Sequence, residues 1–144
     1  MEILFPGSSQ VPRRFPLEVT ELVPDGTPAR LGTATVRGWE VDHASGAPPL
    51  ALRADLGGAS FGYSGDTAWT PALAEAARDT DLFAAEAYTY DWPVRYHLDY
   101  TTLTAHLPEL SARRIVLAHM SADMLGRLAD ARLPAAYDGL AIDL

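Results

Sequence analysis

Apolar and polar residues alternate from residue 17 to 23, the period of a half-buried strand. Pro24-Asp25-Gly26-Thr27-Pro28 follows with the residues of a turn. Residues 33 to 41 have strand composition and lead to His43. Two prolines and a glycine in Ala44-Ser45-Gly46-Ala47-Pro48-Pro49 suit neither a ladder nor a helix, so this stretch is a loop. Residues 50 to 56, Gly57-Gly58 and residues 60 to 63 read as a hairpin. After Asp66 the period lengthens. Thr70-Pro71 predicts a helix start, with Thr70 as N-cap and Pro71 at the first helical position. Leu73, Ala76 and Ala77 continue its apolar stripe. Residues 82 to 86 predict a short buried strand, and residues 88 to 96 an aromatic-rich loop. Thr101 or Thr102 caps a helix through Leu110, and residues 115 to 118 form a strand. Ser121 caps a helix to Ala131 with Met124, Leu125 and Leu128 on one face. Asp138-Gly139 turns into a last strand, residues 140 to 144.

These elements predict one α/β (α+β) domain over residues 1–144. Residues 1 to about 64 are mainly antiparallel β, and residues 65 to 144 alternate helix and strand, which implies one mixed sheet backed by helices.

Composition narrows the function. The chain is 48% hydrophobic and 21% charged, the balance of a globular domain. A formal charge of −8 argues against a nucleic-acid surface or an anionic membrane face. All 11 basic residues are Arg, which fits a GC-rich coding sequence rather than a function. With no Cys there are no disulfides and no thiolate ligands, so any metal would use His and carboxylates. Met1-Glu2-Ile3-Leu4-Phe5-Pro6-Gly7 is too short and acidic for a signal peptide, and no run nears the roughly 20 apolar residues of a membrane span. The expected location is cytoplasmic.

Three metal-competent side chains fall at strand edges. Phe61-Gly62-Tyr63 delivers Asp66 through Ser64-Gly65, His43 lies 23 residues earlier, and His119 ends the apolar strand Arg114-Ile115-Val116-Leu117-Ala118. Taken singly, each has a plain structural reading: Asp66 as a cap or turn residue, the histidines as hydrogen-bonded core or loop residues. Taken together they are the imidazole and carboxylate ligands that suit zinc, manganese or iron.

The order His43, then Tyr63-Ser64-Gly65-Asp66-Thr67, then Asp81-Leu82-Phe83-Ala84-Ala85-Glu86-Ala87, then Leu117-Ala118-His119-Met120-Ser121 resembles the C-terminal half of the metallo-β-lactamase superfamily. It is most similar to the branch of ribonuclease Z and related phosphodiesterases, from about Val36 to the last residue. The resemblance implies the back half of an αββα sandwich, with one mixed sheet and helices on one face. It implies a hydrolase whose two divalent metals, zinc foremost and manganese or iron as alternatives, activate hydroxide against a phosphoester, acyl ester or lactone. His43 would serve one metal, Asp66 would bridge both, and His119 would serve the second. Asp66 and His97 would take part in catalysis, His97 as proton donor or substrate contact.

The sequence departs from that family at two places. The signature His-x-His-x-Asp-His, which supplies four further ligands, does not occur: the four histidines are His43, His97, His106 and His119. The ribonuclease Z box His-Glu-Ala-Thr is replaced by Ala85-Glu86-Ala87-Tyr88, which argues against tRNA processing; Glu86 there is either a hydrogen-bonding partner of the site or a satisfied strand-end carboxylate. His106 has no assigned role. The expectation is a truncated half-domain with low metal occupancy and little activity alone, partnered by self-association or by a complementing N-terminal half. The alternative is a non-catalytic remnant or interaction module. The aromatic stretch from Tyr88 to Tyr100 either lines a pocket for a small organic substrate or packs over the sheet edge.

Overall fold

A computed structural model of the chain describes residues 15, 16 and 19–144. The stretch Met1 to Gly7 and the first two residues of the expected strand at 17 to 23 lie outside the described residues.

Among the described residues, six strands form one mixed sheet in sequential order: β1 (Ala29–Leu31), β2 (Ala34–Glu40), β3 (Leu50–Leu56), β4 (Ala59–Tyr63), β5 (Leu82–Glu86) and β6 (Ile115–Ala118). β1 to β4 pair antiparallel, as expected for the first half. β4, β5 and β6 run parallel, joined by α1 (Ala72–Ala77) and α2 (Tyr100–His106). A short α3 (Ala122–Gly126) follows β6.

Alternation along β5 sorts the two faces. Phe83 and Ala85 point into the main core with Leu117 of β6, Leu73, Ala76 and Ala77 of α1, Leu103 of α2 and Met124 of α3. Leu82, Ala84 and Val116 point the other way, against Tyr63, Ala118 and Ile142. The helices therefore cover one face only. Gly62 lets α1 sit close, since a Cβ there would lie 2.6 Å from Phe83 Cδ2 and 2.9 Å from the Ala76 carbonyl oxygen.

Several predicted elements change. Residues 19–23 form no strand. Asp25 bridges Trp39 near the end of β2, so the residues before Pro24 run past Glu40 and have no ladder to join. The hairpin strand β1, turning at Gly32-Thr33, was not anticipated. Asp99, not a threonine, caps α2: its carboxylate accepts from Thr102 N at 2.8 Å and Thr102 Oγ at 2.7 Å. α2 tightens into a 3₁₀ turn at Leu107–Glu109, where Pro108 has no N–H to give. The helix expected from Ser121 to Ala131 is α3 plus a 3₁₀ turn at Leu128–Asp130. Ser121 stands at its cap position without a cap hydrogen bond, and Leu125 is exposed while Met124 is fully buried. Residues 140–144 form no strand. Pro134 and Ala136 already hold the free edge of β6 through Leu117 N and O, both at 2.8 Å. The tail instead crosses the face that the helices leave open, with Ile142 on Leu82, Ala84 and Val116. Among the described residues, no helix is long and apolar enough to cross a membrane.

Candidate functional site

The site lies at the carboxyl ends of β4, β5 and β6, where parallel strands open onto loops. β4 ends in Ser64-Gly65-Asp66-Thr67. Gly65 is needed at the bend: its φ is +65°, and a Cβ would meet the Leu50 carbonyl oxygen at 2.7 Å. Ser64 and Thr67 are fully buried and pin the turn on both sides of Asp66. Ser64 N donates to Ala84 O at 3.0 Å, and Ser64 Oγ accepts from Glu86 N at 2.8 Å. Thr67 Oγ1 accepts from Asp42 N at 3.1 Å, and Ala68 N donates to Asp42 O at 3.0 Å, which fastens the segment carrying His43 beside the turn.

Glu86 ends β5 and is completely buried. By alternation it points with Leu82 and Ala84, away from the helices. A carboxylate removed from water needs donors, and Glu86 finds four. Oε2 accepts from Thr67 N at 2.7 Å and Leu98 N at 3.3 Å. Oε1 faces His97 Nδ1 at 2.5 Å and His119 Nδ1 at 2.8 Å. Two oxygens with four lone-pair positions are thereby saturated. Each imidazole that gives its Nδ1 proton to Glu86 keeps Nε2 bare, and Nε2 points away from the buried carboxylate.

Asp66 lies alongside, its Oδ1 3.2 Å from His119 Nδ1. Its side chain and that of His119 are each nearly two-fifths exposed, so both meet solvent while Glu86 does not. Tyr88 stacks on His97 with ring centroids 4.4 Å apart, and the His97 and His119 rings lie 5.4 Å apart. His43 stands on the other side of His97, ring centroids 5.2 Å apart in an edge arrangement. Burial first, then the charges of Asp66 and Glu86, raise the Tyr63 phenol above its usual range, so Tyr63 stays a neutral hydroxyl at the site's edge. His119 has φ +47°, a left-handed backbone that costs a non-glycine residue energy and is held here by the surrounding bonds.

Of the residues singled out in the sequence, the structure brings Asp66, His97 and His119 together around Glu86. His43 adjoins them through His97, and among the described residues no hydrogen bond ties it to Glu86. Glu86, His97 and His119 offer ligand atoms within 4.8 Å of one another, a group able to hold a metal. The donors are imidazole nitrogen and carboxylate oxygen, which fits zinc, manganese or iron. Glu86 is the residue that sequence reasoning left undecided. Its signal was one acid closing an otherwise apolar strand, Leu82-Phe83-Ala84-Ala85. His106 is structural: it stacks on Trp69 at 3.9 Å and pairs with Glu109 at 2.6 Å.

Beside His97 opens a groove of about 660 Å³, lined among others by Trp69, Val94, Arg95, Tyr96, His97 and Thr102. Part of the aromatic stretch thus lines a pocket rather than only covering the sheet.

Residues 5–120 match the family described as "Beta-lactamase superfamily domain". The chain belongs to that superfamily. A Mycobacterium leprae (strain TN) protein, ML1173, is 34% identical over 99 residues, covering 67% of this chain and 34% of its own length. Three solved structures share the superfamily fold. The metallo-β-lactamase fold protein YhfI from Bacillus subtilis has 19% identity and TM-score 0.67, over 83% of this chain and 52% of its own. A diphosphatase from the PhnP family has 21% identity and TM-score 0.67, over 83% and 47%. The short form of human tRNase Z has 16% identity and TM-score 0.63, over 85% and 49%. The chain thus spans about a third of its curated relative and about half of these superfamily structures.

Proposed function

We propose that this chain supplies one half of a metal-dependent hydrolytic centre, acting on a small phosphoester, acyl ester or lactone. The observation that carries the reading is Glu86, which is fully buried and saturated while aiming two imidazoles at solvent beside Asp66. A histidine held through Nδ1 by a carboxylate is the arrangement that presents Nε2 to a metal or a proton. His119, Asp66 and His43 are the residues that would hold divalent metal, zinc first. Bound metal would supply a water nucleophile with pKa near about 7 and polarise the bond to be cleaved. The protein's own groups do the rest. Glu86 fixes both ring tautomers and stabilises an imidazolium. His97, when protonated, gives its Nε2 proton to the departing oxygen and returns to neutral. The groove beside His97 takes the body of the substrate.

These 144 residues carry no His-x-His-x-Asp-His motif, and a zinc site needs about three protein ligands or more. We therefore expect low metal occupancy and low activity for the chain alone. The apolar face around Ile142, where Phe61, Tyr137 and Leu144 remain exposed, would take a complementing segment or a second copy. The test is metal analysis and hydrolysis of bis(4-nitrophenyl) phosphate and simple lactones. It compares this chain with a longer form carrying the missing motif, each with Asp66→Asn and His119→Ala variants. Activity should appear only in the longer form and vanish in both variants. One stoichiometric zinc in the 144-residue chain, untouched by Asp66→Asn, would overturn the reading.

A further inference from the structure

We propose that the Arg95-Tyr96 turn is the recognition element for a substrate with one anionic group on a flat, largely apolar body. The inference rests on the hydrolytic reading for placing the scissile bond at His97. Val94 to His97 is a tight turn closed by His97 N donating to Val94 O at 3.0 Å. Tyr96 has φ +67° within it, a conformation glycine adopts freely and tyrosine does not. A bulky residue at such a position points to a use for its side chain.

That side chain has two neighbours. The Arg95 guanidinium lies over the Tyr96 ring, 4.5 Å from its centroid, and His43 lies 6.2 Å away on ring centroids. Stacking uses the face of the guanidinium and leaves its edge of N–H donors open, the fork that suits a carboxylate or phosphate. The ion pairs among the described residues engage Arg37, Arg53, Arg78, Arg113 and Arg127, not Arg95. Arg95 is exposed in the rim of the groove, and Trp69 supplies an apolar wall. Two carboxylates also line the groove. Asp99 is engaged by Thr102, whereas Asp42 is exposed and stands as a negative rim. One exposed cation and one open carboxylate on the groove's lining, on a chain of charge −8, suit a single anionic group and repel a polyanionic strand.

The test needs no metal. The 144-residue chain, treated with EDTA, is titrated with phenyl phosphate, benzoate, phenol and inorganic phosphate, and NMR follows the Arg95 Nε–H and Tyr96 ring signals. Phenyl phosphate, benzoate or both should shift these signals and bind more tightly than phenol or inorganic phosphate. Phenyl phosphate alone assigns a phosphoryl group, and benzoate alone a carboxylate. Arg95→Gln should weaken binding about tenfold or more, and Arg95→Lys by less. Binding of phenol as tight as that of the anions, or an Arg95→Gln chain that binds like the wild type, overturns the proposal. A longer, metal-loaded form that hydrolyses esters while Arg95→Gln changes no KM overturns it too, and leaves the hydrolytic reading standing. Anion binding here without zinc binding in any form sinks the hydrolytic reading instead.

Discussion

Replacing Glu86 with glutamine separates what this residue does for the fold from what it does for the imidazoles. The amide keeps the shape of the carboxylate. Its oxygen can stay on Thr67 N and Leu98 N, and its NH₂ group then faces His97 Nδ1 and His119 Nδ1. Two donors now meet two nitrogens that donate in the wild type. The conflict resolves when each ring moves its proton to Nε2 and accepts at Nδ1. The fold then loses charge assistance in four bonds but no partner, at about 1–3 kcal/mol in all. Melting should fall by several degrees, at about 2–4 °C per kcal/mol for a chain of this size. The consequence for the site is larger. With Nε2 protonated neither ring offers a lone pair outward, and zinc affinity should fall about 10–100-fold. Glu86→Ala is the contrasting change. It strands the buried N–H groups of Thr67 and Leu98 at about 1–3 kcal/mol each and leaves both imidazoles without their carboxylate, a large share of the about 5–15 kcal/mol that holds a domain together, so it should destabilise the chain more than Glu86→Gln does. The assay is long-range ¹H–¹⁵N NMR of the histidine side chains, with thermal melts and a zinc competition titration. Wild-type Nδ1–H tautomers and unchanged zinc affinity in a folded Glu86→Gln chain would refute the reasoning.

Three further outcomes are expected. His119→Gly should be more stable than His119→Ala by about 1 kcal/mol, because glycine relieves the left-handed φ of +47°; equal urea midpoints would remove the claim of strain. Gly62→Ala should destabilise by about 1–3 kcal/mol, since its Cβ meets Phe83 and the Ala76 backbone, and a neutral result in denaturant melts would mean that α1 can shift away. Asp81 is held below its ordinary value of 3.8, chiefly by the Ser60 N–H and then by the Ser60 hydroxyl, with the Arg113 and Arg114 charges assisting. A depressed carboxylate stabilises above its unfolded value and loses that effect as pH falls through the folded one. The wild-type advantage over Asp81→Asn should therefore be level from neutral pH to about 5 and shrink below 3.8; a gap that stays constant to pH 2.5 would contradict it.

The strands were legible where neighbours in the sequence are also partners in the sheet. The hairpin across Gly57-Gly58 needs only local alternation, and β5 announces itself as an apolar run. The strand expected at 140 to 144, and the described residues 19–23 of the one expected at 17 to 23, fail for a reason no local pattern carries. A strand requires a free edge: residues 19–23 run past the end of β2 at Glu40 and meet none, and that of β6 is taken by Pro134 to Ala136. The same limit governs the helix caps. Thr102 donates its N–H and its hydroxyl to the Asp99 carboxylate, and spacing alone does not rank Asp99 above the threonines at 101 and 102.

For the site, the sequence exposed the residues that face solvent and hid the one that organises them. Asp66 and His119 stand out because polar side chains interrupt apolar strands at their ends. Glu86 interrupts one equally, but its meaning depends on what it meets. The partners come from residues 67, 97, 98 and 119, a separation of up to 33 positions that only the parallel order of β4, β5 and β6 closes. Once those four donors are in place, Glu86 has no lone pair left to face a metal, so its burial and saturation argue for orienting ligands rather than being one. That distinction decides how much of a centre this chain holds. Counted as a ligand, Glu86 would complete a site with His97 and His119. Counted as their support, it leaves Asp66, His43 and the Nε2 atoms of His97 and His119 as the donors that the proposed centre would offer a metal.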